Sequence, residues 1–297
     1  MFEFRTIELS DREWITRALR KSDFRGCEYS FSNNMAWRRL YETGILKYKD
    51  FYISCSHKYG VDFIFPAGEG DYRDVFAEMS RYSEKNGAFL TIHSVTNENL
   101  RLFEELYSGL YDITRDEGSF DYIYRAEDLR ELKGKKYHSK RNHLNRFYGN
   151  NWEYSPISEK NFDDLIEFAT LSYNQNGGYD DESSVSEQFA INTYFNNFHE
   201  LELKGGIIRV DGAIQGFTIG EPLNSDTFVI HIEKANPNIQ GSYAAINNEF
   251  AKASSSGFLY INREEDLGLE GLRKSKKSYY PEFLLEKNTV RFNCFIH

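Results

Sequence analysis

A run of basic residues between positions 130 and 146 is the densest charge feature of the chain. Seven bases there stand against one acid, Glu131, although the whole chain of 297 residues carries a net charge of −10. Such a run is usually a solvated helix face, but here it is interleaved with groups that can hydrogen-bond or stack. Two interpretations stay open: plain surface, or a site for a tRNA, nucleotide or lipid phosphate. The candidate anion-binding residues are Tyr137, His138, Lys140, Arg141 and Asn142.

An acidic segment from Asn262 to Asp266 follows a predicted strand over residues 258–261. Ligand-binding groups in open α/β sheets cluster where strands end. Glu265 and Asp266 are therefore candidate catalytic residues that could orient an amine nucleophile or accept its proton, with Asn262 as a substrate contact. The same acids also suit the N-terminus of the helix predicted over residues 269–277. The two interpretations are compatible.

The predicted helix over 269–277 ends in bases, and Tyr279 follows it. Arg273 and Lys276 are three residues apart and share a helix face. They are candidates for an anion contact, although cations are favourable near any helix C-terminus. The phenol of Tyr279 could protonate a leaving group. Core packing is the alternative in a chain with 21 tyrosines.

Histidine and cysteine spacing predicts neither a metal site nor a disulfide. His138 and His143 are five residues apart, whereas a helical zinc pair is spaced i, i+4. Cys27, Cys55 and Cys294 are widely spaced and odd in number, so we expect free thiols in a reducing compartment. The N-terminus is charged and no apolar run approaches about 20 residues. We expect a cytoplasmic monomer without stable membrane insertion.

The hydrophobic pattern predicts two α/β domains. A chain of this length exceeds a typical single domain, and its 5 prolines leave no long linker. The first half opens on a helix that Ser10 could cap, then short strands and helices over 71–85 and 97–107. In the second half, β runs flanking Asp211-Gly212 predict a tight hairpin. A strand over 228–233 and a helix over 242–254 follow.

We therefore place the domains at residues 1–125 and 126–297, with the ligand site in the second. The predicted fold class is α/β (α+β), with mixed, mostly antiparallel sheets flanked by helices.

The turn from Asn236 to Ala244 resembles that of GNAT acyltransferases, in which a strand is followed by a proline and a Gly-containing turn that opens a helix. Amide groups at such a helix N-terminus hold an anionic pyrophosphate. The resemblance implies cofactor-binding roles for Gln240, Gly241, Ser242 and Tyr243. The turn has one glycine and a bulky Tyr243, which favours a tRNA donor or lost catalysis over coenzyme A.

Three segments, over residues 121–147, 241–250 and 260–281, together resemble the uncharacterised bacterial family grouped with the C-terminal domain of phosphatidylglycerol lysyltransferases. That resemblance implies two GNAT-like domains in tandem. The lysyltransferases move an aminoacyl group from a charged tRNA to a lipid headgroup. The function implied here is transfer of an acyl or aminoacyl group, from an acyl-CoA or aminoacyl-tRNA, to an amine or hydroxyl of a small-molecule acceptor, without a covalently bound cofactor. The alternative is a non-catalytic module that binds a nucleotide, an RNA end or a metabolite.

Overall fold

Two mixed β-sheets with flanking helices make up the computed structural model, which describes residues 2–175 and 182–297. The expected fold class is confirmed. The strands are β1 (Arg5–Thr6), β2 (Thr43–Tyr48), β3 (Phe51–Ser56), β4 (Asp62–Ile64), β5 (Ala67–Gly68), β6 (Thr91–Val95), β7 (Tyr111–Arg115), β8 (Asp121–Arg125), β9 (Trp152–Pro156), β10 (Lys204–Val210), β11 (Ala213–Pro222), β12 (Thr227–Ala235), β13 (Tyr260–Asn262), β14 (Phe283–Leu285) and β15 (Asn288–Phe292).

Helices flank both sheets and alternate with the strands along the chain. The α-helices are α1 (Arg12–Ser22), α2 (Phe31–Trp37), α3 (Tyr72–Lys85), α4 (Asn97–Tyr107), α5 (Ala126–Glu131), α6 (His138–Tyr148), α7 (Phe162–Gln175), α8 (Glu182–Asn196), α9 (Ser242–Ser254) and α10 (Glu270–Lys277). The basic run singled out in the sequence therefore spans the end of α5, a short 3-10 turn and most of α6.

Internal contacts divide the chain into two units. The first unit consists of Met1–Asp121, Glu265–Leu269 and Leu285–His297, and the second consists of Tyr122–Glu264 and Glu270–Leu284. The sequence predicts that the chain passes from the first domain to the second only once, at residue 125. The contacts instead assign two later segments to the first unit. The reason for the last of these is pairing: β15 lies between β6 and β7 in the first sheet.

The first sheet has the order β1-β2-β3-β4-β6-β15-β7, with β5 beside β3. Its core is rich in fully buried aromatic rings, among them Phe63, Phe76 and Phe103.

Asp71 caps α3 by accepting from the backbone amides of the first turn. The cap predicted at Ser10 is wrong.

At that point Asp11 accepts from the Glu8 amide at 2.9 Å and from Trp14 Nε1 at 2.9 Å. It also binds the Arg5 guanidinium. Ser10 lies inside the 3-10 turn Leu9–Asp11, and Asp11 is the N-cap residue of α1 but makes no side-chain bond to its first-turn amides.

The second sheet has the order β14-β8-β13-β12-β11-β10-β9. Its central strand is β12, and the neighbouring β11 forms an antiparallel hairpin with β10. Asp211 and Gly212 both have positive φ, 51° and 80°, so the predicted tight hairpin is confirmed. Helices α5, α6 and α9 pack on the core of this unit, which includes Leu129, Phe147, Phe228 and Phe250.

Candidate active site

The candidate site lies in the second unit where β12 and β13 part. These strands pair parallel over Thr227–Val229 and Tyr260–Asn262 only, and β12 then continues to Ala235 without β13 beside it. The shorter strand ends because the Asn262 side chain accepts from the Glu264 amide at 2.6 Å and Glu264 adopts a positive φ of 56°. The parting of two parallel strands at this point leaves space for side chains from both.

A β-bulge at His231 decides which side chains of β12 reach this space. Ile219 pairs with Ile232 but Gly220 pairs with Ile230, so His231 is the extra residue. A bulge shifts the alternation of faces by one residue. As a result Glu233, which lies three residues after Ile230, still points toward α9, where it accepts from Asn247.

Glu233 holds two buried polar side chains. Its carboxylate accepts from Arg263 Nη2 at 2.8 Å and from Asn247 Nδ2 at 2.9 Å. The side chains of Arg263 and Glu233 are 9% and 12% exposed. Within the part of the chain that the structure describes, Arg263 Nη1 and Asn247 Oδ1 are buried and have no hydrogen-bond partner. Buried polar groups are rarely left so, because each costs about 1–3 kcal/mol.

Lys140 of α6 and Tyr279 complete this cluster. The Lys140 Nζ lies 3.6 Å from the centroid of the Tyr279 ring, and the Arg263 Cζ lies 4.8 Å from the same centroid. Burial lowers the pKa of Lys140, the nearby Arg263 charge lowers it further, and Glu233 opposes them, so that the pKa is about 8. Burial raises the pKa of the Tyr279 hydroxyl. Two cations thus share one carboxylate beside a protonated phenol.

Two other residues that the sequence proposed as anion contacts hold this cluster in place. The buried Tyr137 hydroxyl donates to the Tyr279 carbonyl at 3.0 Å and to the Asp128 carboxylate at 3.2 Å. The Lys276 Nζ donates to the carbonyl of Arg263 at 2.6 Å and to that of Glu264. Both side chains therefore position the backbone on which Tyr279 and Arg263 depend.

The remaining predicted anion contacts lie elsewhere on the second unit. Arg141 Nη1 donates to the carbonyls of Leu132 and Gly134 and so fixes the loop between α5 and α6. His138 and Asn142 are exposed and bonded to each other across one turn of α6. Arg273 lies partly exposed on α10. Their roles in anion binding stay predictions.

The predicted cofactor turn is closed by α6 at its glycine. Gly241 has a φ of 87°, and a Cβ there would lie 2.1 Å from the His143 carbonyl oxygen. The glycine is therefore required by the packing of α6 against α9. The Ser242 hydroxyl donates to the Asn236 carbonyl at 2.6 Å, while Gln240 and Tyr243 are exposed. Cofactor binding by this turn stays a prediction.

Glu265 and Asp266 belong by their contacts to the first unit. The Glu265 carboxylate lies 3.4 Å from the Cys27 thiol and 3.9 Å from the Lys287 Nζ. Asp266 is buried and accepts from the Gly268 amide in the turn before α10. The catalytic roles of these two acids, and a site shared with Lys140, stay predictions.

Three residues of the cluster, Glu233, Asn247 and Arg263, were not singled out from the sequence. Arg263 lies inside the strand-end segment that attracted attention for its acids, and Glu233 ends a predicted strand, so strand-end position was the available signal. No sequence signal pointed to Asn247, because a single asparagine inside a predicted helix belongs to no motif.

Residues 19–291 match the family described as phosphatidylglycerol lysyltransferase, C-terminal. The chain belongs to this family. The resemblance carried by the three sequence segments is thereby confirmed. An uncharacterised protein of Mycoplasmoides gallisepticum is 25% identical over 183 residues, which are 60% of this chain and 58% of that protein. The chain thus matches little more than half the length of that relative.

Solved structures give the same fold. A conserved protein of unknown function from Bacteroides thetaiotaomicron is 38% identical, with a TM-score of 0.94 over 99% of this chain and all of that one. L-PGS from Bacillus licheniformis is 13% identical with a TM-score of 0.66, covering 95% of this chain and 92% of that one. A tandem GNAT protein from the clavulanic acid pathway is 9% identical with a TM-score of 0.52, covering 97% and 98%. The tandem GNAT fold is confirmed.

A search for bilayer-spanning helices over residues 2–175 and 182–297 found none of sufficient length and apolarity.

Proposed function

We propose that the second unit transfers an aminoacyl group from a charged tRNA to an amine or hydroxyl acceptor, with Lys140, Arg263 and Tyr279 around the reacting carbonyl. The observation that supports this most is the charge imbalance of the cluster. Two cations face one carboxylate, Glu233, and Arg263 Nη1 has no partner among the described residues. Perturbed pKa values and unpaired buried donors concentrate at functional sites.

The chemistry needs an anion to form at this place. Attack of the acceptor on the ester carbonyl of the donor forms a carbon–oxygen or carbon–nitrogen bond and places negative charge on the carbonyl oxygen. Arg263 Nη1 and the Lys140 ammonium supply donors for that oxyanion. Such preorganised donors are worth about 10²–10³ in rate each. The oxyanion then collapses, the bond between the carbonyl carbon and the tRNA ribose oxygen breaks, and the proton released by the attacking amine or hydroxyl passes through solvent to the leaving oxygen.

The protonation states of Lys140 and Tyr279 follow from their pKa values. Lys140, with a pKa of about 8, is mostly an ammonium at neutral pH and stabilises the oxyanion in that form. Tyr279 keeps its proton, because burial raises the pKa of its hydroxyl. Its hydroxyl can therefore donate a hydrogen bond to the leaving oxygen without losing its proton, and its ring is the aromatic surface against which both cations pack.

The turn before α9 supports tRNA rather than coenzyme A as the donor. It has one glycine and the bulky Tyr243, and α6 packs directly against that glycine, since a Cβ there would lie 2.1 Å from the His143 carbonyl oxygen. The family name specifies transfer of a lysyl group to phosphatidylglycerol, which agrees with an aminoacyl donor. The acceptor is proposed only as an amine or hydroxyl.

The test is acceptor-dependent deacylation of labelled aminoacyl-tRNA by the full chain, with lysyl-tRNA first and acetyl-CoA in parallel. Acceptors are phosphatidylglycerol vesicles and a mixture of free amines. We expect transfer from the tRNA ester, a loss of about 10²-fold or more in Lys140→Met, and little change in Lys133→Met, an exposed base of the same run.

The pH profile tests the role of Lys140 separately. The ammonium is the stabilising form, so the rate should fall as pH rises through about 8. Lys140→Arg should remove this fall, because a guanidinium does not titrate in that range. Turnover of acetyl-CoA alone would contradict the donor assignment. Tight tRNA binding without turnover would contradict catalysis and favour the non-catalytic binding module.

A further inference from the structure

Asn247 of α9 uses only one end of its side-chain amide within the fold. The side chain is fully buried, and its Nδ2 donates to Glu233 Oε2 at 2.9 Å. An ionised carboxylate only accepts hydrogen bonds, so the amide nitrogen must face Glu233 and the amide oxygen must face away from it. Asn247 Oδ1 has no hydrogen-bond partner among the residues that the structure describes. An acceptor is therefore buried in this site without a donor.

The neighbouring Asn248 shows how a purely structural asparagine is bonded at the same depth. Its Nδ2 donates to the carbonyls of Leu129 and Arg130 at 2.7 and 2.9 Å, and its Oδ1 accepts from the Tyr148 hydroxyl at 3.4 Å. Both ends of that amide hold α9 against its neighbouring helices. Asn247 is equally buried but leaves one end unused, although burying an unpaired acceptor is costly.

The unpaired acceptor shares a carboxylate with an unpaired donor. Glu233 Oε1 accepts from Arg263 Nη2 at 2.8 Å, and Glu233 Oε2 accepts from Asn247 Nδ2. Arg263 Nη1 is also buried and has no partner within the described part of the chain. The same carboxylate thus holds two side chains, one of which offers a donor to a ligand and the other an acceptor.

We propose that Asn247 Oδ1 accepts a hydrogen bond from the α-amino group of the donor substrate, so that the site takes aminoacyl groups in preference to acyl groups that lack this amine. The inference rests on the proposed transfer, in which Arg263 Nη1 holds the carbonyl oxygen. An α-aminoacyl ester presents an amine donor close to that oxygen. A simple acyl group presents the oxygen alone and leaves Asn247 Oδ1 unpaired, which a site built for a hydrogen bond disfavours.

The experiment compares two donors that differ only in the α-amine, lysyl-tRNA and ε-aminocaproyl-tRNA, with the full chain and the acceptors named above. The native chain should prefer lysyl-tRNA in kcat/KM, and this preference should fall by about tenfold or more in Asn247→Leu. An α-amine also activates the ester chemically, but that effect is the same for both proteins and cancels when their preferences are compared. Asn196→Leu, which changes an exposed asparagine of α8, should keep the native preference.

Equal slowing of both donors in Asn247→Leu overturns the inference, because it is what a purely structural role predicts. If Asn247→Leu does not fold, Asn247→Ala takes its place, since it removes the same acceptor and adds no bulk beside Glu233.

A binding measurement separates this inference from the transfer itself. The probes are the lysyl and ε-aminocaproyl amides of aminodeoxyadenosine, which are not turned over, titrated calorimetrically into the full chain. The native chain should bind the lysyl amide about tenfold more tightly, and Asn247→Ala should bind the two alike. Amides that bind the native chain equally, or not at all, overturn the role of Asn247. A native chain that prefers the lysyl amide but turns over neither tRNA would contradict the proposed transfer and support the role of Asn247.

Discussion

Each unit of the molecule contains a lysine among charged groups, and the two lysines have opposite surroundings. In the first unit Lys287 is buried and faces an excess of acid. Its Nζ lies 2.8 Å from Asp121, 3.3 Å from Glu28 and 3.9 Å from Glu265. Burial opposes its charge, but Asp121 and its neighbours outweigh burial and raise the pKa of Lys287 well above its usual value.

In the second unit Lys140 faces an excess of cation. Arg263 adds a second positive charge, Glu233 is the shared carboxylate, and the pKa of Lys140 is about 8. The contrast separates two uses of a lysine. An ammonium surrounded by acids is permanently charged and fixes structure. An ammonium in a cation excess is poorly stabilised until an anion arrives, which is what a transfer site requires.

The acids around Lys287 belong to a group of side chains that could also hold a metal ion. Cys27, Asp121 and Glu265 offer ligand atoms within 4.8 Å of one another, and the Lys287 ammonium lies against all three. The cation that these acids need is thus supplied by the chain itself.

The largest expected effect follows from removing that cation. Lys287→Met should lower the free energy of unfolding by about 3–5 kcal/mol, because it leaves buried carboxylates without their counter-charge. Lys47→Met, which changes an exposed lysine of β2, should stay within about 0.5 kcal/mol. Urea unfolding measures both. If the free energy of unfolding falls by less than about 1 kcal/mol in Lys287→Met, the acids around it are protonated or hydrated. Lys287 would then not be the structural cation that the comparison with Lys140 requires.

A second acid excess, within the second unit, predicts a pH effect. His231 bonds Glu264 at 2.8 Å and Glu221 at 3.0 Å. Burial lowers the pKa of His231, but the two carboxylates outweigh it and raise the pKa to about 9. The folded pKa exceeds the unfolded value, so the stability it contributes is complete below about pH 6.5 and lost as pH rises through 9.

The His231 contribution is measured as a difference between variants. The native chain should lose about 3 kcal/mol more than His231→Gln between pH 6 and pH 9.5. The difference is necessary because Lys140 changes stability in the opposite direction over part of this range. Equal pH slopes for the two proteins would show that His231 is not charged in the folded state.

Local signals in the sequence predicted much of the fold. The Asp211-Gly212 hairpin requires positive φ at both residues, which few other pairs supply. The helix predicted over 242–254 matches α9. The glycine before it and the apolar residues inside it lie next to one another in the sequence, so the signal is local. The pairing of β15 in the first sheet could not be predicted, since strand order depends on contacts between residues almost 200 positions apart.

The candidate site was predictable only in part, and for the same reason. Lys140 was predicted as one of seven bases in a basic run. Nothing in the sequence distinguished it from the other six as the base that packs against the Tyr279 ring. Glu233 reaches Arg263 because a bulge at His231 changes the face of β12. Alternation counted along the sequence without that bulge places Glu233 on the opposite face.

The smallest expected effect is also the sharpest test of the comparison, because its sign differs from that of Lys287→Met. Lys140→Met should raise the free energy of unfolding at pH 7, by about 1 kcal/mol or less, since it removes the surplus cation and leaves Arg263 and Glu233 as a balanced pair. The loss of the contact between Lys140 and the Tyr279 ring offsets part of the gain.

The pH dependence identifies the origin of that gain. The folded pKa of Lys140, about 8, is below the value of about 10.4 for an unfolded lysine. The penalty for its charge is therefore complete below pH 8 and disappears as pH rises through about 10.4. The advantage of Lys140→Met should shrink over that interval, as followed by urea unfolding. If Lys140→Met is destabilised instead, Lys140 is a structural cation like Lys287. The argument that the cluster has an excess of positive charge awaiting an anion would then fail. The same substitution that stabilises the fold should abolish transfer.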